Sequence, residues 1–146
     1  MTTGFTCGAW DLLHSGHLHF LQESIKLCDT LLVGLHTNPQ TDRSSKNKPI
    51  QSTFERWYQL YQLNNLYSSN GTYKLRIIPY DTEADLENML AMLPIHIRFL
   101  GSDYIHSTSV TGWDICKKRA IEIRYIPRLH NYSSSELRNR IEKAKI

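Results

Sequence analysis

The sequence predicts an α/β fold built on a five-stranded parallel sheet, and three observations carry that prediction. Short apolar stretches alternate along the whole chain with segments whose apolar residues recur at helical spacing. One of the short stretches, Leu31-Leu32-Val33-Gly34-Leu35, is apolar on both faces, as strands covered from both sides are. No repeat, low-complexity tract or linker interrupts the 146 residues, so one domain spanning 1–146 with right-handed crossovers is expected.

Thr3 to Cys7 is the first strand, identified by the glycine and the helical pattern that follow it. From Gly16 the residues Leu18, Phe20, Leu21, Ile25 and Leu27 suit a helix ending near Cys28-Asp29. After the second strand, Thr37 to Gln51 is polar, contains two prolines and shows no periodicity, which predicts an exposed loop. Ser52 or Thr53 caps the next helix with Glu55 near its start, and Trp57, Leu60, Tyr61 and Leu63 form its apolar side. Ser68-Ser69-Asn70-Gly71 ends that helix, and Tyr73 to Ile78 forms the third strand, closed by Pro79. Thr82 to Leu93 is helical, with Leu86, Met89, Leu90 and Leu93 on one face and acids where the helix dipole favours them. Ile95 to Leu100 is the fourth strand, Gly112 to Ala120 a short helix, Ile121 to Ile126 the fifth strand and Ser133 to Ala144 the terminal helix.

Composition narrows the function. No apolar run is long enough to span a bilayer, which argues against a membrane partner. The N-terminus lacks the basic and apolar segments of a secretory signal, so a cytoplasmic location is expected. Cys7, Cys28 and Cys116 are too few and too widely spaced for a disulfide framework or a cysteine-based zinc site. A net charge of +3 with scattered lysines and arginines argues against a nucleic-acid partner and fits a small anionic substrate.

In a parallel sheet ligands bind beyond the carboxyl ends of the strands, where three turns open: Gly8 to His17, Gly101 to Asp103, and Pro127 to Ser135. In the first, Gly8 brings backbone close to a ligand and the helix starting near Gly16 points unpaired amides at it. His14 and His17 can lie on one side of that helix start and present ring N–H groups to phosphate oxygens. Asp11 is suited either to a divalent cation bridging the same phosphates or to fixing a backbone turn. His14, His17 and His19 have no cysteine or carboxylate cluster to complete a zinc site. In the third turn, Arg128 and Ser133-Ser134-Ser135 form either a second anion cradle or an ordinary helix cap, with Ser133 and Glu136 as its capping box. Lys46 and Lys48, on the polar loop, read most simply as solvated charges.

The run Gly8-x-x-Asp11-Leu12-Leu13-His14-x-Gly16-His17 resembles the signature of the cytidylyltransferase family, within the HxGH nucleotidyltransferase superfamily. Lys46-x-Lys48, Glu55-Arg56, Gly101-Ser102-Asp103 and Arg128 with its serines are similar to further marks of that family, and the likeness to its glycerol-3-phosphate branch spans nearly the whole chain. The resemblance implies a Rossmann-like three-layer αβα fold, often homodimeric, that transfers CMP from CTP to a phosphorylated alcohol such as glycerol 3-phosphate. The acceptor phosphate attacks the α-phosphorus directly and magnesium pyrophosphate leaves, so Mg²⁺ is the implied cofactor. By matching positions, His14 and His17 would stabilise charge at the α-phosphate and on pyrophosphate. Ala9, Trp10, Ser15 and Gly16 would line the nucleotide site through backbone, Lys46 would reach the acceptor phosphate and Lys48 the triphosphate. Arg128, Ser133, Ser134 and Ser135 would hold the β- and γ-phosphates, and Asp103 would support the sugar or base.

Several positions depart from the family pattern. Ala9-Trp10 stands for Thr-Phe, His130-Asn131-Tyr132 for Glu-Gly-Ile, and Pro79 to Leu90 lacks the lysine that the glycerol-3-phosphate enzymes place there for the acceptor. Two other readings follow: an adenylyltransferase using ATP, against which Leu12-Leu13 stands where adenylyl branches commonly have proline, and a nucleotide-binding regulator without catalysis.

Overall fold

The computed structural model describes residues 1–67 and 74–144. Five strands, β1 (Thr3–Gly8), β2 (Thr30–His36), β3 (Leu75–Tyr80), β4 (Ile97–Gly101) and β5 (Glu122–Ile126), form one sheet in the order β3-β2-β1-β4-β5, every neighbouring pair parallel. The helices are α1 (Ser15–Ile25), α2 (Thr53–Gln62), α3 (Asn64–Tyr67), α4 (Glu83–Met92), α5 (Trp113–Lys118) and α6 (Ser134–Lys143). The expected Rossmann-like α/β architecture is therefore present, all five strands included.

Alternation along β2 shows how the sheet divides its helices. Leu31, Val33 and Leu35 point to one face and join Leu21 and Ile25 of α1, Leu60 of α2 and Phe99 of β4 in one buried cluster. Leu32 points to the other face, with Phe5, Leu86 and Leu90 of α4, and Cys116 of α5. Burying apolar side chains on both faces contributes about 25 cal/mol for each Å² removed from water, and it keeps the sheet edge that carries the functional turns rigid.

The caps follow the sequence where Ser and Thr are present. Ser52 with Glu55, and Thr82 with Asp85, form reciprocal capping boxes at the starts of α2 and α4. Elsewhere the boundaries differ from expectation. α1 stops at Ile25, because the Leu27 and Cys28 amides bond three residues back to Ser24 and Ile25 and tighten the end. The second helix breaks at Leu63, after which buried Asn64 exchanges two side-chain hydrogen bonds with the backbone of Leu75, 2.8 and 3.2 Å long. The third strand runs through Pro79 to Tyr80, which its edge position permits because no neighbour needs the missing N–H. The predicted turn at Ser68 to Gly71 and the strand start at Tyr73 lie outside the described residues. The loop from Thr37 to Gln51 contains one short 3₁₀ turn, Pro39–Thr41, and is otherwise irregular.

Candidate active site

The chain runs from β1 outward through β2 to β3, then returns to place β4 on the other side of β1. The carboxyl ends of β1 and β4 thus diverge, and a cleft of about 640 Å³ opens there, where open α/β sheets bind ligands.

The turn after β1 is held in an unfavourable backbone. Trp10 and Leu12 adopt φ values of 54° and 50°, a region costing a residue with a Cβ on the order of 1 kcal/mol. Side chains from distant elements compensate. Trp10 buries its ring and donates Nε1–H to the Gly34 carbonyl at 3.0 Å, while the Gln51 side chain accepts from the Leu12 amide at 2.8 Å. The buried Asp11 carboxylate accepts the amides of Ile50 and Gln51 at 2.8 and 2.9 Å, and the Arg138 guanidinium of α6 closes on the same group. Burial works to raise its pKa, but those amides and Arg138 outweigh it and hold the carboxyl below the usual range. Arg56, 1% exposed, donates to the carbonyls of Ala9, His36, Thr37 and Gln51, and so ties the ends of β1 and β2 to the start of α2.

Of the two roles open to Asp11, the structure displays the backbone one. Oδ1 accepts the Gln51 amide, and Oδ2 accepts the Ile50 amide and the Arg138 guanidinium, so the carboxylate fixes the turn to the loop and to α6. Among the described residues no group of three or more His, Cys, Asp or Glu side chains could hold a metal ion.

His14 and His17 build the N-terminus of α1 from imidazoles. His14 Nδ1 accepts from the Gly16 amide at 3.0 Å, and His17 Nδ1 accepts from the His14 amide at 3.3 Å, a capping box made of two stacked rings with centroids 3.9 Å apart. An Nδ1 that accepts carries no proton, so in each neutral ring the proton sits on Nε2. Burial pushes the His17 pKa down to about 3, helped by His14 beside it. Burial likewise lowers that of His14, as do His130, Arg128 and Arg140. Two neutral rings, each with a fixed Nε2–H donor, therefore line the cleft at neutral pH. His14 Nε2 lies 3.2 Å from Ser134 Oγ, which in turn donates to the Asp11 carbonyl, so α6 orients the ring.

Arg128 lines the same cleft. It pairs with Asp103 at 3.1 Å, donates to the Tyr132 carbonyl at 2.9 Å, and its amide donates to Ser102 Oγ. His130 stacks on Tyr132 and meets His19 edge-on. Ser133 caps α6 by accepting from the Glu136 amide, but the expected box is half made, because the Glu136 carboxylate pairs with Arg140 instead.

The cleft brings together Gly8, Ala9, Trp10, Asp11, His14, Gly16, His17, Lys46, Gly101, Asp103, Arg128, Ser133 and Ser134. It does not include Ser15 or Ser135, whose residues are exposed at the helix starts, nor Lys48, which lines a separate depression with Pro49 and Thr53. Sequence reasoning assigned no role to Arg56, Arg98 or Arg138. Arg98 carried a legible signal, a charge inside the apolar strand Ile97-Arg98-Phe99-Leu100.

Comparison with known proteins agrees with this architecture. Residues 5–140 match the family model described as Cytidylyltransferase-like. The chain is 29% identical over 142 residues to the bifunctional protein HldE of Hyphomonas neptunium, and 30% identical over 143 residues to that of Helicobacter hepaticus. Each alignment covers 97% of this chain and 27% of the relative, so the chain spans about a quarter of the length of these curated relatives. Among solved structures, the lipopolysaccharide core biosynthesis protein of Thermoplasma volcanium superposes with a TM-score of 0.61 at 25% identity, covering 91% of this chain and 99% of that one. A putative nicotinate-nucleotide adenylyltransferase of Vibrio parahaemolyticus shares the fold with a TM-score of 0.65 at 15% identity, covering 100% of this chain and 90% of that one. The histidine-capped turn at a sheet switch point and the match over nearly the whole chain agree: the chain belongs to the cytidylyltransferase-like family of nucleotidyltransferases.

Proposed function

We propose that the protein transfers a nucleotidyl group from a nucleoside triphosphate, ATP in the favoured reading, to a phosphorylated acceptor and releases pyrophosphate. The observation that carries this is the pair of neutral Nε2–H donors of His14 and His17 at a helix N-terminus, in one cleft with Arg128. An oxygen of the acceptor phosphate attacks the α-phosphorus, the bond from that phosphorus to the bridging oxygen breaks, and pyrophosphate leaves with its magnesium. Charge grows on the α-phosphate and leaving oxygens, where fixed donors in a partly desolvated site stabilise it most. Arg128 and the start of α6, Ser133 and Ser134 included, hold the β- and γ-phosphates. Arg128 exchanges its exposed bond to Asp103 for them, freeing Asp103 for the sugar. Lys46, on the loop beside the cleft, meets the acceptor.

One feature supports ATP over CTP: the cytidylyl pattern Glu-Gly-Ile is replaced by His130-Asn131-Tyr132, whose stacked rings offer a broad shelf to a base. Leu12-Leu13, in the cytidylyl form, favours CTP and makes CMP transfer to a phospho-alcohol such as glycerol 3-phosphate the second reading. Pyrophosphate release with ATP and with CTP, each against a panel of phospho-alcohols and sugar phosphates, tests both. Release with one nucleotide, abolished in His14→Asn, is expected; tight nucleotide binding without release across the panel would sink the transfer in favour of a regulator. A homodimer, as the resemblance implies, would form on the exposed apolar residues Ile50, Phe54, Tyr58 and Leu66. Sedimentation of wild type and Phe54→Ser tests it: a dimer becoming a monomer is expected, and a monomeric wild type refutes it.

A further inference from the structure

The cleft has a second lobe, on the other side of the sheet from the histidines. Arg98 of β4 lies in register with Phe5 of β1, and Phe5 packs into the cluster under α4 and α5, so Arg98 points to that layer rather than to α1. The lobe around it is lined by Cys7, Tyr80, Leu86, Val110 and Thr111.

The chemistry of that lobe is unbalanced. Arg98 is 2% exposed, yet among the described residues no carboxylate lies within ion-pair distance of it. Its Nη1 donates to the Thr111 carbonyl, and its Nε has no partner among the described residues. Cys7 shares a side-chain hydrogen bond with Arg98 and Tyr80 lies close enough to feel its charge, but burial raises the pKa of both and keeps them neutral, so neither serves as counter-ion. At the lip, Glu83 is taken by Arg43 at 3.2 Å, and Arg43 also donates to Thr111 Oγ1. Lys46 adds a third cation to the same rim. Burying a guanidinium without a counter-charge is unfavourable, and Arg98 can be reached by an anion from the cleft it lines.

We infer that the acceptor carries a second anionic group, a carboxylate or a second phosphate, which seats on Arg98. This inference rests on the transfer reading, in which the reacting phosphate stands beside His14 and His17 in the α1 layer. The group over Arg98 must then be another part of the same molecule, and the planar guanidinium fork with its free Nε suits a carboxylate or phosphate. Arg98 is accordingly a specificity-determining residue that ranks acceptors by their far end.

Matched probes test this by calorimetry on the full chain: glycerol 3-phosphate against 3-phosphoglycerate and against glycerol 1,3-bisphosphate, and ribose 5-phosphate against 5-phosphoribonate. The wild type is expected to bind at least one partner with two anionic groups about tenfold or more tighter than its match with the single phosphate. The carboxylate and bisphosphate arms separate the two anions. Arg98→Met should reduce the preference to less than about threefold while nucleotide affinity stays put. Should that variant fail to fold, the wild-type comparison decides, with Arg98→Lys as the variant that keeps charge and loses the fork. Equal affinity within every pair, or a preference that survives in folded Arg98→Met, overturns the inference. A preference for the second anionic group without pyrophosphate release would instead sink the transfer and leave the anion seat standing.

Discussion

Replacing His17 by Asn should flatten the acid side of the stability profile. In the folded protein burial holds the ring neutral down to about pH 3, whereas an unfolded histidine takes up its proton near 6.5. Between those values the unfolded chain binds the extra proton, so stability is full above about pH 6.5 and falls as pH drops toward the folded pKa. From pH 7 to pH 5 the loss from His17 alone is about 2 kcal/mol, or roughly 6 °C in Tm for a chain of this length. Asn is the suitable replacement because its Oδ1 stands where Nδ1 accepted the His14 amide, so the helix start keeps its cap while the titrating ring is lost. His14 titrates with the same sign but is present in both proteins, and the depressed Asp11 carboxyl acts only at lower pH. Differential scanning calorimetry at pH 7, 6 and 5 should show the two Tm curves converging by that amount. Parallel curves, or a His17 ring resonance titrating near 6.5 in the folded protein, would refute the reasoning.

Asp11→Asn should cost about 3 kcal/mol in urea unfolding, because it leaves Arg138 half-buried without its partner, and it should not move the Mg²⁺ concentration needed for half activity. Lys46→Ala is expected to raise the acceptor KM about tenfold, whereas Lys48→Ala, outside the cleft, should change it less than about twofold in steady-state assays. A Cβ on Gly16 would stand 2.8 Å from a His14 ring carbon and 3.0 Å from one of His130. Gly16→Ala should therefore lower kcat by about a hundredfold, a displacement effect that a crystal structure of the variant would display as rotated rings.

The sheet was legible because each strand is bracketed by its own punctuation, and the HxGH turn because its residue types share one mechanical purpose. What escaped the sequence lies in long-range geometry. Asp11 and Arg138 are 127 residues apart, and nothing local distinguishes Arg138 from the solvated charges around it in the terminal basic run. Both imidazoles double as helix caps, a use that capping preferences for Ser, Thr, Asn and Asp do not suggest. Pro79 reads as a terminator in one dimension, and only the strand order, with β3 outermost, makes it an acceptable member. The division between Lys46 and Lys48 rests on where a polar loop folds back, and periodicity says nothing about that.

The outer rim of β3, one of the two edges of the sheet, is guarded against strand addition by its own residues and by Asn64. In a parallel strand alternate residues turn their backbone groups away from the neighbour, and because Lys74 and Tyr80 bond to the β2 side, the outward positions are 75, 77 and 79. Asn64 occupies both groups of Leu75, and Pro79 has no N–H to offer. An incoming strand would find one complete docking position, at Ile77, between two blocked ones. Continuation of the sheet across that border is thereby prevented, and with it the templated growth to which unguarded strand edges are prone.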